Sequence, residues 1–410
     1  MSSAPFIPVG RPYLDARDLE RLAEPVERGW LVQGPLVEEF ERGFAAFLER
    51  SASPESALAA PHAIACASGT AALHLGVTAL GASPGDEILV PAFTWVATAN
   101  CVEYAGATPV FVDIDLDTFN IDWGHAAAAV GSRTVGMIPV HLFGLPTDCD
   151  AMVALAQRHD LWVLEDAACG FGASWRGQPV GTFGEAGCFS FHPRKAITTG
   201  EGGMLVTRDA TREATVRALR SHGVVPGSTA FDMGDVPMLG FNYRLTDLQA
   251  ALGCAQLGKA DEILAHRRQV AEWYDDALSS IEGVRLAPRD VRATHGWQSY
   301  VCLVSADGSD AHAIDRAAAR RDTLISDLHA AGIGTRPGTH APAHLSFYAS
   351  KYGIRPEDFP HAHTAARCSI ALPLGAGLTE QDVARIVDVM ASSLGRTSGR
   401  GYITAGATFA

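Results

Sequence analysis

From Phe189 to Met204 the chain reads FSFHPRKAITTGEGGM, with Lys195 set among small and hydroxyl residues. A lysine at neutral pH is a solvated cation. To attack a carbonyl or hold a Schiff base it must lose its proton in a desolvated or electropositive pocket. Lys195 follows the apolar run GCFSFH (187–192), and in open α/β sheets ligands bind just beyond the carboxyl ends of such strands. A second run, DLWVLED (160–166), delivers Glu165 and Asp166 at its end, where a carboxylate can pair with a protonated ring nitrogen. In CASGTAALHLG, Ser68, Gly69 and Thr70 stand where a loop becomes a helix, offering N–H groups and hydroxyls to a phosphate at the positive helix end. Trp95, in PAFTWVATAN, directly follows another strand, where its plane could stack on a flat cofactor. Singly, each has an ordinary structural use: a surface lysine, a capping aspartate, a core-filling aromatic. Together they are the amine, ring-nitrogen partner, phosphate donors and stacking plane that pyridoxal phosphate (PLP) requires.

The elements that must position these residues are legible as alternating patterns. EILVPAF (87–93), TPVFVDI (108–114), TVGMIPVHLF (134–143), DLWVLED and GCFSFH are short, β-branched or aromatic, and bounded by Gly, Pro or Asp, as buried strands are. Between them, GTAALHLGVTALG (69–81), TWVATANCVEYAG (94–106) and PTDCDAMVALAQRHD (146–160) carry apolar residues at helical spacing. The pattern is a doubly wound α/β domain with a mostly parallel sheet. From Leu245 to Leu278 one long helical stretch follows, then short strands and helices and a final apolar helix. The expected division is an N-terminal segment and large domain over 1–255, a smaller α+β domain over 256–395, and a loose tail over 396–410. There is no internal repeat.

Composition limits the partners. The chain has 410 residues, 47% of them hydrophobic, and a net charge of −14. It can bury a large core, and it lacks the clustered basic charge that nucleic acid or an anionic membrane surface demands. Its eight cysteines are scattered singly, without a CxxC pair, which suits a reducing cytoplasm. Neither a targeting segment nor eighteen consecutive apolar residues is present. The HAH at 361–363 has no third ligand at usable spacing, so no metal is expected.

The succession SGTAAL, PAFTW, VFVDID, PVHLFG, EDAA, FSFHPRK, TTGEGG, HG and FNYRLTDLQAALG resembles the PLP-dependent sugar aminotransferases of the DegT/StrS group. The resemblance runs from about WLVQGPLVEEFE (30–41) to ALPLGAGLT (371–379). It implies a fold type I PLP-dependent transferase, like aspartate aminotransferase, with a smaller C-terminal domain. It makes Lys195 the Schiff-base lysine and Asp166 the pyridinium partner. Trp95 becomes the stacking ring, and Gly69, Thr70 and Ser190 the phosphate ligands. Asn242 corresponds to a residue that reaches the cofactor phosphate of the neighbouring subunit, so a homodimer with shared sites is implied. One position departs from the pattern: many members have Gln after EDAA, where this chain has Cys169, and a thiol is a weak donor.

The activity so implied moves nitrogen from an amino acid, usually glutamate, to a keto group on a nucleotide-linked keto-deoxysugar. His192 in FSFH favours the C4 carbonyl over C3. A keto-cyclitol is the alternative acceptor. A keto-sugar dehydratase of the same fold carries histidine in place of the lysine, so Lys195 argues against it. A nicotinamide oxidoreductase would need G-x-G-x-x-G after the first strand, which SGTAAL does not match. A non-catalytic regulator has no use for an intact Lys195 and Asp166. His340 and His344 cannot be aligned with the family's substrate-side histidine, because the spacing differs.

Overall fold

The computed structural model describes residues 5–54, 60–225, 232, 234–305 and 312–395; the tail expected over 396–410 lies outside them. The first five strands are β1 (His62–Cys66), β2 (Glu87–Pro91), β3 (Thr108–Val112), β4 (Thr134–Met137) and β5 (Trp162–Asp166). A small hairpin, β6 (Ser174–Trp175) and β7 (Gln178–Pro179), precedes β8 (Ala186–Ser190) and β9 (Gly203–Thr207). The seven-stranded central sheet has the order β1-β9-β8-β5-β4-β2-β3. Only β9 runs antiparallel to its neighbours, β1 and β8; the other pairs are parallel. The fold is therefore the expected α/β arrangement. The run at 134–143 differs in extent: β4 stops at Met137, and Leu142–Gly144 form a short 3-10 turn, in which Phe143 takes a φ of 58°.

β10 (Val284–Leu286), β12 (Tyr300–Val304) and β13 (Ser369–Leu372) form a separate antiparallel sheet, while β11 (Ala293–Thr294) pairs with β6. Tyr274, Cys302, Leu324, Ile370 and Met390 fill the core behind the second sheet. The N-terminal segment crosses to this part of the molecule, where Ile7 N–H bonds Gly332 O at 2.9 Å and Leu374 N–H bonds Val9 O at 3.1 Å. The long helical stretch is broken in two, Asp247–Gly258 and Ala260–Leu278. The break falls at Lys259, whose backbone leaves helical geometry and whose buried ammonium binds Asp18 at 2.5 Å.

Helix Pro35–Ser51 fixes the strand that leads to Lys195. Phe44 is fully buried, and its ring meets those of Phe40, Phe47, Phe171, Phe189 and Phe191 at centroid separations of 5.0 to 6.5 Å. Phe189 and Phe191 flank Ser190, so the cluster locks the carboxyl end of β8. Glu41 of the same helix is buried and accepts from Ala65 N–H (2.9 Å) and Arg220 Nη1 (2.7 Å), tying the helix to β1. Phe44→Ala should lower stability by about 3–5 kcal/mol, the usual cost of an aromatic-sized core deletion. Urea denaturation of the cofactor-free protein would register it as a lower midpoint with an unchanged slope.

Candidate active site

Lys195 sits in the 191–202 connection between β8 and β9. The loop is held from within by Lys195 N–H to His192 O (2.8 Å), Thr199 N–H to Phe191 O (3.0 Å) and Thr198 Oγ1 to Phe191 O (2.8 Å). It is held from outside by Arg267, whose Nη2 donates to Lys195 O (3.3 Å) and Nη1 to Trp297 O (2.8 Å). Burial lowers the Arg267 pKa to about 10. The backbone of Lys195 is thus fixed while its side chain remains half-buried. Lys195 Nζ lies 3.2 Å from Cys169 Sγ.

Asp166 closes β5 and is 4% exposed. Thr98 Oγ1 donates to its Oδ2 at 2.7 Å, and Ala168 N–H donates to Oδ1 at 3.1 Å. Burial raises the Asp166 pKa, against the lowering effects of Thr98, the Ala168 amide, Lys195 and His141. The adjacent Glu165 has no part in the cavity. It is fully buried, accepting from the amides of Gly181 (2.8 Å), Phe183 (2.6 Å) and Gly184 (2.9 Å) and pairing with His141 Nε2 (2.9 Å). The Thr147 amide donates to His141 Nδ1 at 3.3 Å, so the imidazole proton is on Nε2 and points at Glu165.

Helix Gly69–Ala79 starts beside these groups. Ser68 caps it, its side chain accepting from the Ala71 amide at 3.1 Å. A Cβ at Gly69 would come within 2.8 Å of Ser190 Cβ, and one at Gly203 within 2.3 Å of Ser68 O. Glycine at these two places lets the helix N-terminus, β8 and β9 close into a cup of N–H groups and hydroxyls, the kind of site that takes a phosphate. Trp95 is exposed at the rim, its ring 5.4 Å from that of His340.

One cavity of about 420 Å³ collects these groups at the carboxyl ends of the parallel strands: Gly69, Thr70, Trp95, Asp166, Cys169, Ser190 and Lys195 all line it. His192 also lines it, with Nδ1 accepting from the Arg194 amide at 3.2 Å; its pKa is lowered, chiefly by burial. Asn242 is not among the lining residues. It is exposed, and forms an isolated bridge with Ser221. His344 packs near His363 and Phe359, outside the cavity lining. Sequence reasoning missed Thr98, which follows Trp95 by three residues and shares its turn, a spacing that could have been read. It also missed Gln298 and Arg336, which reach the cavity from the C-terminal half of the chain. The donor set fits PLP: an amine, a buried carboxylate, a phosphate cup and an aromatic plane face one space.

The DegT/DnrJ/EryC1/StrS aminotransferase family model matches residues 12–391. The chain is 39% identical over 390 residues to GDP-perosamine synthase of Caulobacter vibrioides, covering 94% of this chain and 98% of that protein. Among solved structures, the aminotransferase TlmJ from Streptoalloteichus hindustanus superposes with a TM-score of 0.84 at 31% identity, over 95% of this chain and 99% of that one. The PLP form of Spr1654 from Streptococcus pneumoniae gives 0.84 at 25% identity, over 95% and 99%.

The Thr98 bond to Asp166 can be tested through stability. An Asp whose pKa is raised on folding costs stability when ionised, and the cost disappears as the pH falls and it protonates. Removing the Thr98 donor raises that pKa further. Cofactor-free Thr98→Val should therefore be less stable by about 1–3 kcal/mol at neutral pH, with a smaller deficit in mild acid, whereas Thr98→Ser should recover most of it. Urea midpoints at the two pH values decide; an equal deficit at both would detach Thr98 from the ionisation of Asp166.

Proposed function

Because the chain belongs to the DegT/DnrJ/EryC1/StrS aminotransferase family, we propose that it is a PLP-dependent enzyme that moves an amino group from glutamate to C4 of a nucleotide-linked keto-deoxysugar. The observation that carries this reading is the placement of Lys195 Nζ and the Asp166 carboxylate on one cavity with a phosphate-binding helix terminus. The name of the Caulobacter relative points to a GDP-linked acceptor. His192, which in the resemblance favours C4, lines the cavity. We place the protein in the cytoplasm, in keeping with cysteines that are all free among the described residues; none of the described helices is long and apolar enough to cross a membrane.

When bound, PLP supplies a carbonyl that condenses with amines and a conjugated ring that accepts an electron pair. Gly69, Thr70 and Ser190 would hold its phosphate, Trp95 would cover its face, and Lys195 would be its point of attachment. Asp166, fixed by Thr98 and Ala168, would keep the ring nitrogen protonated. The free Lys195 amine would take a proton from the substrate carbon in the donor half of the cycle and return one in the acceptor half. Cys169, 3.2 Å from Nζ, stands where many members of the family resembled have Gln, so it offers only a weak bond there.

We further propose a homodimer in which Asn242 serves the partner's cofactor phosphate. Its exposure, its absence from its own chain's cavity, and the exposed apolar side chains of Leu239 (88%) and Val32 (64%) support this.

Incubation of keto-sugar nucleotides with glutamate should yield the mass change of amination, and a panel that remains unaminated would overturn the acceptor class. Borohydride reduction of the holoenzyme should fix a pyridoxyl group on Lys195, and Lys195→Ala should bind cofactor without turnover; labelling at another lysine would remove Lys195 from its role. Mixing an Asn242→Ala variant with a Lys195→Ala variant should generate hybrid dimers in which one site is intact, with activity rising toward a quarter of wild type on statistical exchange, on the order expected for a shared two-fold site. No gain after verified exchange would place Asn242 outside the site.

A further inference from the structure

The cavity contains a guanidinium that the mechanism above does not use. Arg336 bridges antiparallel to Ala371, next to the second sheet, and its side chain lines the same cavity as Lys195. Its Nη1 donates to Gly338 O (2.5 Å) and Pro337 O (3.2 Å). Its Nε is buried without a hydrogen-bond partner, and Nη2 makes no bond among the described residues. Nε–H and Nη2–H are parallel donors, the edge of the fork that a carboxylate accepts side-on. Among the described residues no carboxylate is paired with it: burial and the like charge of Arg194 lower the Arg336 pKa, opposed by Cys169. A buried cation with an unpaired bidentate edge gains from an anion.

We propose that Arg336 binds the α-carboxylate of the amino donor on its Nε–Nη2 edge. The inference rests on the amino-acid donor of the reading above. Three anions enter such a site, and connectivity separates them. An amino acid has its carboxylate on the same carbon as its amine, so a cation on the wall of the lysine cavity is within its reach. A nucleotide-linked sugar has its diphosphate across the ring from C4, farther from the reacting lysine. The cofactor phosphate has its own donors at Gly69, Thr70 and Ser190.

The test is the donor half-reaction of the PLP-loaded holoenzyme, followed by loss of its visible band with L-glutamate and with isoglutamine, in which the α-carboxylate is a carboxamide. Wild type should prefer glutamate. Arg336→Gln should raise the half-saturating glutamate concentration about 10- to 100-fold, the scale of a charge-assisted bidentate pair, and the preference over isoglutamine should collapse toward one. Arg336→Lys, which keeps the charge but loses the fork, should retain part of that preference, and it also serves if the Gln variant does not fold. An unchanged glutamate constant in a variant that binds cofactor would overturn the proposal. So would equal losses with glutamate and isoglutamine, the mark of a merely structural arginine, or a loss confined to the reverse half-reaction with an amino-sugar nucleotide, which would assign Arg336 to the diphosphate. If no amino acid bleaches the wild-type band while an amino-sugar nucleotide does, the donor reading falls and this proposal with it; bleaching by glutamate without amination of any keto-sugar would touch only the acceptor reading.

Discussion

Two carboxylates in succession at the end of β5 set the conditions for everything around them. Successive side chains of a strand point to opposite faces, so Glu165 and Asp166 must be buried on different sides of the same sheet. An isolated buried carboxylate costs several kcal/mol or more unless it is hydrogen-bonded, and each has obtained partners in a different way. Glu165 takes three backbone amides from 181–184 and the His141 imidazole. That closes the turn before β8 and ties β5 to the segment after β4. Asp166 takes only Thr98 and the Ala168 amide. Its remaining capacity faces the cavity, where a protonated ring nitrogen would complete it.

The lysine is placed by a chain of contacts that begins on the opposite side of the sheet. Phe44 packs against Phe189 and Phe191, the residues on either side of Ser190. From there the loop is pinned by its own hydrogen bonds and by Arg267 until it enters β9 at Gly203. Small residues at Gly69 and Gly203 then allow the helix N-terminus to sit against both strands. Phosphate cup and lysine are consequently positioned by one packing arrangement, and a change in the aromatic cluster would disturb both.

The strands and helices that read most plainly in the sequence are those with a single dominant period. β2, β3, β5 and β8 were legible as short, mostly buried apolar runs, and the helices between them by apolar residues at helical spacing. That Lys195, Asp166, Gly69 and Trp95 meet on one cavity could be read because each lies within a few residues of a strand end, so local pattern stands in for position. β1 and β9 were not named, although HAIAC and GMLVT are as long as the strands that were; each abuts a motif, SGTAAL or TTGEGG, that drew the reading to its chemistry rather than to its apolar run. The helix break at Lys259 escaped notice because it depends on a buried ion pair with Asp18, 241 residues away. Arg336 was invisible for the same reason, since no local pattern says that a residue after a helix C-terminus will face a cavity built by another sheet.

The charge of the molecule also has to be read at two scales. A net charge of −14 directs attention away from nucleic acid, yet the cavity wall carries Lys195, Arg194 and Arg336 against Asp166 and Glu201. A protonated ring nitrogen would balance Asp166, so that a further ligand would meet Lys195, Arg194 and Arg336 against Glu201. Low-dielectric walls focus such a field, and an anionic amino acid or sugar nucleotide would be drawn into the site of an acidic protein. The cations lie on the side formed by the lysine loop and the second sheet, the phosphate cup on the side of helix Gly69–Ala79. That separation leaves one cavity with two places for an anion, one at the helix terminus and one beside the lysine loop.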